Sequence, residues 1–424
     1  MGDNQQDERS KERAMKTVGI IAEYNPFHNG HCLQIQEIRR RFPGTGIVVA
    51  MSGSFTQRGT VAILDKWQRA EAAVRHGVSL VLELPTVFST RSAQYFAEGG
   101  VRLLDRLGVV DVIAFGAECE NLKSLARLAD KIDANQQSIS MKNGLQIGGS
   151  YAAAITEAAD PDADIRQPNV ILAVEYLRAI QRFHVSLSPT PLPRFSAGHH
   201  DSDIPSVGDC PIASASAIRA ALARGNEHSA LCAVPKDVAT MLSNAHAHGY
   251  TDMEHLFRPL LAKLLNTSPE YLRSILGVNE GIEHRVRRAA LSARSYAEII
   301  EAVHSKRYPL ARIRRLLMHI LFSLTKETAD RFDETGPLYA RVLAFNDKGR
   351  RILRNIRGQT KIPVVTKLSR FLPAQALDTG QLSSAQEMLV FDLKATALAS
   401  LASNPVGHPP VNADYLISPI YLPK

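Results

Sequence analysis

The sequence predicts an α/β domain with a parallel sheet, followed by a mostly α-helical C-terminal domain. Four short, apolar runs rich in β-branched residues predict the sheet, because strands buried on both faces lack polar alternation. They cover residues 17–23, 46–51, 79–85 and 109–116. Helical patterns lie between them at the spacing of β-α-β units. After Pro235 the alternation stops and long helical patterns replace it.

Three helices are predicted between the strands, over residues 31–42, 66–76 and 93–107. The first places Ile35, Ile38 and Phe42 on one side, which is the spacing of a helix with one buried face. We set the α/β domain at residues 17–230. Residues 1–16 carry mixed charge and no apolar stretch, and this composition predicts a flexible tail that is not a secretory signal.

The second domain is predicted over residues 236–424 and is mainly helical. Its clearest helical patterns cover residues 253–265, 295–304 and 311–325. The last stretch, VNADYLISPIYLP, is rich in β-branched and aromatic residues and predicts a short strand or a packed tail.

Composition excludes several classes of protein. A chain of 424 residues with 45% hydrophobic and 22% charged residues is globular, neither disordered nor fibrous. No run approaches the roughly 20 apolar residues of a membrane helix, so we expect a soluble, cytoplasmic protein with no membrane partner. The four cysteines show no CxxC spacing, which argues against a disulfide framework or a thiolate zinc site, and we predict no metal-ligand set. The net charge of +8 favours a polyanionic partner such as nucleic acid.

The first strand runs directly into EYNPFHNGHC, which then opens a helix. This turn lies at the carboxyl edge of the sheet, where open α/β sheets bind ligands. Gly30 lets a nucleotide approach the backbone, and His28 and His31 can donate hydrogen bonds to phosphoryl oxygens at a helix amino terminus. Such donors stabilise the charge that develops as pyrophosphate leaves. Taken alone, two histidines three apart are explained as well by ordinary loop residues or by part of a zinc site.

HNGH after a first strand resembles the HIGH-type signature of class I aminoacyl-tRNA synthetases and of the pantetheine-phosphate and nicotinamide-nucleotide adenylyltransferases. That resemblance implies a Rossmann-like nucleotidyltransferase domain that binds ATP. A later segment, IASASAIRAAL, is similar to the ISSTxxR segment that closes over phosphates in that superfamily, with Ser214, Ser216 and Arg219 at the matching positions. Helix capping also explains the serines, but explains Arg219 less well.

Segments along nearly the whole chain resemble, in order, the bacterial tRNA(Met) cytidine acetate ligases. They are EYNPFHNGH, SGSFTQRG, LELP, FGAE, QPNVILAVEYLRAI, RFSAGHHD and VLAFNDKGR. The resemblance implies an ATP-dependent ligase that activates acetate as acetyl-adenylate and transfers acetyl to the exocyclic amine of the wobble cytidine of elongator tRNA(Met). ATP is then a substrate, and Mg²⁺ is expected on the pyrophosphate.

The resemblance also places the site residues. The ATP-binding residues it implies are Ile21, Ala22, Glu23, Tyr24, Asn25, Pro26, Phe27, His28, Asn29, Gly30, His31, Gly116, Asn169 and Arg194, with His28 and His31 catalytic. Gly116 ends a strand, where a side chain would block the ligand. Asn169 can read adenine or ribose, and equally can cap the helix after Pro168. Arg194 can clamp phosphate, or is a surface charge.

Three positions depart from the family pattern. Ser54 stands where asparagine is expected, Thr60 where an acidic residue is usual, and Ser79 where aspartate is common. Two of them fall in the loop over residues 52–60, which we expect to line the acyl or base pocket beside ATP.

A basic stretch near residue 350 is the first candidate for tRNA contact. It places Arg350, Arg351, Arg354 and Arg357 at helical spacings, opposite an apolar face. RYPLARIRR, over residues 307–315, is a second candidate. Charge runs are more often only solvated faces.

Two other functions stay open from the sequence. A small-molecule adenylyltransferase would share the pocket but would not need the large basic helical half. An ATP-sensing RNA-binding protein without turnover would bind ATP and release no pyrophosphate.

Overall fold

A computed structural model of the chain describes residues 16–117, 121–143, 168–193, 211–248, 250–279, 281–403 and 409–423. Eight strands among these residues form one sheet. They are β1 Thr17–Ala22, β2 Gly46–Ser52, β3 Leu80–Leu84, β4 Val112–Ala117, β5 Ser188–Pro193, β6 Ala340–Asn346, β7 Val364–Val365 and β8 Ile420–Leu422. The order is β5-β4-β1-β2-β3-β6-β7, and β8 also pairs with β6.

The strands β1 to β5 are parallel, and this confirms the predicted α/β class. The four predicted strands are β1 to β4. The sequence does not predict β5, because its segment SPTPLP carries three prolines. Proline cannot donate to a strand ladder and is tolerated at a sheet edge, and among the described strands β5 pairs only with β4.

The carboxyl-terminal half of the chain completes the sheet. Strand β6 pairs antiparallel with β3, with Leu80 opposite Phe345 and Glu83 opposite Arg341. The other edge of β6 pairs with β7 at its beginning and with β8 at its end. Strand β8 lies in the final stretch where a short strand or packed tail is predicted. The sequence does not predict β6 as part of this sheet.

Helices cover both faces of the sheet. Those before residue 250 are α1 Asn29–Arg41, α2 Lys66–Arg75, α3 Thr86–Ser89, α4 Ala93–Arg106, α5 Leu122–Asn143, α6 Pro168–Arg182, α7 Ala215–Ala223, α8 Glu227–Cys232 and α9 Lys236–His248. Along β2, Val48 and Ala50 join the core under α4, α5 and α6, whereas Val49 joins the core under α1, α2 and α7. This alternation is that of a doubly wound sheet.

The later helices include the three predicted from residue periodicity. A 3₁₀ turn over Met253–Leu256 precedes α10 Phe257–Leu265, α11 Pro269–Ser274, α12 Ile282–Ser292, α13 Tyr296–Val303, α14 Leu310–Phe322, α15 Lys326–Thr335, α16 Asp347–Gln359, α17 Leu368–Phe371, α18 Ala374–Thr379, α19 Ser384–Leu401 and α20 Ala413–Leu416. Helices α10 to α14 share a third apolar core. In the described part of the chain, no helix has the length and apolar character needed to cross a membrane.

A buried ionic cluster joins α2 to the strands and to the carboxyl-terminal segments. Lys66 Nζ lies 2.8 Å from Glu83 and 2.7 Å from Asp414, and the Arg341 guanidinium lies 3.1 Å from Glu83 and 2.7 Å from Asp414. A third carboxyl, Asp392, accepts hydrogen bonds from the Tyr339 hydroxyl at 2.5 Å and from the Thr86 amide at 2.7 Å. All of these side chains are buried.

Two carboxyls of this cluster titrate in opposite directions. Burial and the negative charge of Glu83 raise the pKa of Asp392 to about 7. Burial also disfavours ionised Asp414, but the charges of Lys66 and Arg341 outweigh burial and lower the pKa of Asp414 to about 2. The cluster therefore holds two cations, two carboxylates that contact both of them, and one carboxyl that is readily protonated.

Candidate active site

A cavity of about 400 Å³ lies at the carboxyl edge of the parallel strands. The ends of β1 and β4 line it together with the starts of α1, α6 and α7. The predicted site residues that line this cavity are Ile21, Ala22, Glu23, Tyr24, Asn25, His28, Gly30, His31, Gly116, Asn169, Ser214, Ser216 and Arg219. The structure thus gathers four separate sequence segments around one volume.

His28 and His31 form a stacked pair at the amino terminus of α1. Their ring centroids are 3.7 Å apart, and the backbone N–H of His28 donates to Nδ1 of His31 at 3.1 Å. Because Nδ1 accepts, a neutral His31 carries its proton on Nε2, which is then a hydrogen-bond donor. The first-turn amides and the helix dipole favour an anion at the same place.

Three residues of the HNGH turn support the pair and do not line the cavity. Phe27 is fully buried, with its ring 5.3 Å from that of His31. Pro26 precedes it in the turn. Asn29 Nδ2 donates to the backbone oxygens of Pro211 and Cys232, both at 3.1 Å, and so ties the turn to the segments around α7. The side chains of Phe27 and Asn29 therefore hold the turn in place. Contact of Pro26, Phe27 and Asn29 with ATP stays a prediction.

Two glycines leave room in the cavity. A Cβ at Gly30 would lie 3.0 Å from Cε1 of His28, so a side chain there would crowd the histidine pair. A Cβ at Gly116 would meet no atom within 4 Å. Since Gly116 lines the cavity, a side chain at this position would project into the volume that a ligand needs.

The Ser-rich segment reaches the HNGH turn through Arg219. Its guanidinium donates to the backbone oxygen of Asn25. Burial lowers the pKa of Arg219, the negative charge of Glu23 opposes that shift, and the positive charge of Arg58 adds to it. Ser214 accepts from the Ala217 amide at 3.1 Å as the amino-terminal cap of α7. Ser214 therefore both caps a helix and lines the cavity.

The loop after β2 also lines the cavity, through Thr56, Gln57 and Arg58. The backbone N–H of Gln57 donates to the Glu23 carboxylate at 2.7 Å, which joins this loop to the end of β1. Ser54 and Thr60, where the loop departs from the family pattern, are absent from the described lining. Thr60 closes the turn through its backbone oxygen, which accepts from Thr56 at 2.9 Å.

Comparison with known proteins shows the family to which this chain belongs. The model of the HIGH nucleotidyl transferase family matches residues 15–411. The chain is 36% identical over 420 residues to the tRNA(Met) cytidine acetate ligase of Syntrophomonas wolfei, covering 96% of this chain and 99% of that protein. The enzyme of that name from Syntrophotalea carbinolica is 38% identical over 401 residues, 91% of this chain and 94% of that one. The chain belongs to the tRNA(Met) cytidine acetate ligase family.

Two solved structures agree with the fold. The crystal structure of Thermotoga maritima TmcAL in its apo form superposes with a TM-score of 0.84 at 30% identity, covering 97% of this chain and all of that one. A second crystal form of the same protein, bound with alpha-thio ATP, superposes with a TM-score of 0.83 over the same shares.

Arg69 is a residue of this ligase that the sequence prediction misses. It is fully buried in α2, and its guanidinium donates to the backbone oxygens of Glu23 at 2.7 Å, Ser52 at 3.0 Å, Leu64 at 3.1 Å and Gly53. Burial lowers its pKa to about 10, so the group stays charged near neutral pH. Arg69 thus fastens the ends of β1 and β2 beside the cavity. The sequence feature that could have indicated a buried Arg69 is its position on the alanine-rich face of a predicted helix.

The other predicted residues differ in where the structure places them. Asn169 is the second residue of α6, so it lines the cavity from within the helix and is not its amino-terminal cap. Arg194 lies outside the described residues. Helix α16 carries Arg350, Arg351, Arg354 and Arg357.

Helix α16 begins at the amino edge of the parallel strands. Lys348 Nζ donates to the backbone oxygen of Gly44 at 3.2 Å, just before β2. Gly349 packs against the backbone oxygen of Ser79, just before β3. The structure therefore does not bring the α16 arginines to the cavity, and their contact with tRNA stays a prediction.

Proposed function

We propose that this chain is an ATP-dependent ligase that activates acetate as acetyl-adenylate and acetylates the wobble cytidine of elongator tRNA(Met). The observation that carries the proposal is the single cavity that unites the HNGH turn, Gly116 and Arg219 at the carboxyl edge. Membership of the tRNA(Met) cytidine acetate ligase family supports the substrates. The likeness to Thermotoga maritima TmcAL bound with alpha-thio ATP supports the nucleotide.

In the first step an acetate oxygen attacks the α-phosphorus of ATP. A bond forms between them, the bond to the β-phosphate oxygen breaks, and pyrophosphate leaves. Nε2–H of His31, the first-turn amides of α1 and the Arg219 guanidinium supply positive donors for the phosphate oxygens. Acetate is itself the nucleophile, so the protein contributes positioning and charge neutralisation.

In the second step the exocyclic amine of cytidine attacks the acetyl carbon of the mixed anhydride. AMP leaves and the nitrogen gives up a proton. A paired or stacked base cannot bring its amine into a cavity, so the wobble base must be turned out of its stack. The lining includes the aromatic rings of Phe96, Phe115 and Tyr176, which suit the face of a nucleobase.

We also propose that Mg²⁺ enters with the triphosphate. In nucleotide enzymes Mg²⁺ is commonly held by phosphate oxygens, waters and one or two carboxylates. Glu23 is the carboxylate in the described lining of the cavity. Within the ranges that the structure describes, no group of three or more His, Cys, Asp or Glu side chains is placed to hold a metal ion.

The test is pyrophosphate release from ATP with acetate as the acyl source, with and without elongator tRNA(Met), followed by nucleoside analysis of the tRNA. Release together with acetylcytidine supports the ligase. ATP binding with neither product indicates the ATP-sensing RNA-binding protein. Turnover on another acceptor without tRNA indicates the small-molecule adenylyltransferase.

A further inference from the structure

The loop that lines the cavity packs directly on the start of α14. Gly59 has a φ of +73°, and a Cβ there would lie 2.6 Å from the backbone nitrogen of Arg315. The Arg315 guanidinium reaches back to the backbone oxygen of Gln57 at 3.4 Å. The end of the second basic stretch of the sequence, at Arg315, therefore lies against the loop that lines the cavity, whereas the start of α16 lies at the opposite end of the strands.

The loop and the first two turns of α14 that it contacts carry four arginines, and we name Arg58, Arg312, Arg314 and Arg315 the border arginines. Arg58 is exposed and lines the cavity, and its positive charge acts on Arg219 inside it. Burial lowers the pKa of Arg315 to about 10, and the charge of Arg312 adds to the shift. Arg58 and Arg219 therefore act on one another, as do Arg312 and Arg315, so positive charge lies on both sides of the contact between the loop and α14.

The border arginines are not neutralised by nearby acids. Across the described residues, none of the four forms an ion pair with a carboxylate, although Arg312 lies over the Tyr308 ring at 4.6 Å. On α16, by contrast, Arg350 lies 3.4 Å from Asp347. Cations left without carboxylate partners beside a cavity suit a ligand that brings its own negative charges.

We propose that the border arginines bind the phosphate backbone next to the wobble cytidine while its base occupies the cavity. The proposal rests on the proposed function, because a base in the cavity keeps its own phosphates at the cavity mouth. Helix α16 begins at the opposite end of strands that span six residues in β1, about 20 Å at about 3.3 Å per residue. The backbone nearest the reacting base therefore contacts α14 and the loop.

The test compares two charge-matched double variants of the full chain, Arg312→Gln/Arg314→Gln on α14 and Arg350→Gln/Arg354→Gln on α16. We measure tRNA affinity and kcat/KM for tRNA acetylation at several salt concentrations, and acetate-dependent ATP/pyrophosphate exchange without tRNA. In the α14 variant, kcat/KM for tRNA is expected to fall at least tenfold and the slope of log affinity against log salt to decrease by about 1.4, for two lost phosphate contacts on a single strand. Exchange is expected to stay within twofold in both variants.

Equal losses in the two variants, or no loss on α14, overturn the proposal. Arg312→Lys/Arg314→Lys keeps the charge and should retain most of the affinity, which separates lost phosphate contact from damage to the helix. If the double variant does not fold, Arg312→Gln alone should give half the change in slope. Failure of the proposed function is seen separately, because the wild-type protein then forms no acetylcytidine. In that case the tRNA affinities of the variants still test whether the border arginines bind tRNA.

Discussion

The cavity and the buried ionic cluster both lie beside the loop after β2, and both gather arginine and carboxylate groups. In the cluster, Lys66 and Arg341 each contact two carboxylates at 3.1 Å or less. In the cavity, Arg219 donates to a backbone oxygen and Arg58 has no carboxylate partner in the described chain. An arginine therefore stabilises the fold where the protein supplies the opposite charge. It is available for binding where a ligand must supply that charge.

The largest effect is expected from a substitution that breaks the buried ionic cluster. Lys66→Met leaves Glu83 and Asp414 buried with one cation between them, so we expect a loss of about 3–5 kcal/mol in the free energy of unfolding. The control is Arg75→Met on the same helix, whose exposed pair with Glu71 should cost less than about 1 kcal/mol. Urea unfolding measures both, and a similar small loss in the two variants would show that the cluster does not stabilise the fold.

A change in the cavity should affect chemistry and leave stability nearly unchanged. We expect His31→Ala to lower acetate-dependent ATP/pyrophosphate exchange by about 10²–10³-fold, because a donor to the developing charge is lost. Its loss as a partner of the His28 amide should cost about 1 kcal/mol of stability. His246→Ala, an exposed histidine paired with Glu227, is the control. Unchanged exchange in His31→Ala would remove His31 from the proposed mechanism.

Gly116→Val tests whether the empty volume is the ATP site. The added side chain should enter the cavity, so we expect the KM for ATP to rise about tenfold or more, from an overpacking cost of about 1–3 kcal/mol paid on binding. Gly358→Val is the control, because a Cβ at that glycine also meets no atom within 4 Å, but on α16. Equal KM values for both variants would place ATP elsewhere.

The effect that is smallest per step of the experiment concerns the pH dependence of the cluster. The pKa of Asp392 is raised to about 7 in the folded protein, above its value of about 4 in an unfolded chain. Between these values the folded state binds the extra proton, so this group makes the free energy of unfolding fall by roughly 1 kcal/mol per pH unit as pH rises from 4 to 7.

Asp392→Asn removes this ionisation. Its free energy of unfolding relative to wild type should therefore increase from pH 5 to pH 7 and then level off above pH 7. Urea titrations at pH 5, 6, 7 and 8 measure the difference in free energy of unfolding between the two proteins. The other carboxyls are common to both proteins, so their contributions largely cancel. A difference that is constant with pH would show that Asp392 ionises normally.

Local patterns were enough to predict the strands β1 to β4 and the turn at their carboxyl edge. The apolar runs identify buried strands, and HNGH after the first of them places a ligand site. The rest of the fold depends on contacts between residues that are far apart in the chain. Strand β6 pairs with β3 some 260 residues earlier, and no local signal reports that pairing.

Buried charge was the other feature that the sequence concealed. Lys66 and Arg69 fall in a helical pattern where charged residues are normally assigned to the solvated face. Their burial depends on partners contributed by the ends of β1 and β2, by β3 and by the carboxyl-terminal segments. Similarly, a list of arginines does not distinguish α14 from α16, since only the contact between Gly59 and Arg315 shows which helix borders the cavity.

The pairing of β6 with β3 has a consequence for synthesis of the chain on the ribosome. Until residue 346 has emerged, one side of β3 exposes unpaired backbone N–H and C=O groups, and such an open strand invites association with other chains. A nascent chain that already contains every described residue of the cavity lining still has this exposed edge. Fragments ending near residue 230 should therefore aggregate when expressed alone, and the nascent protein should depend on chaperones until its last quarter is made.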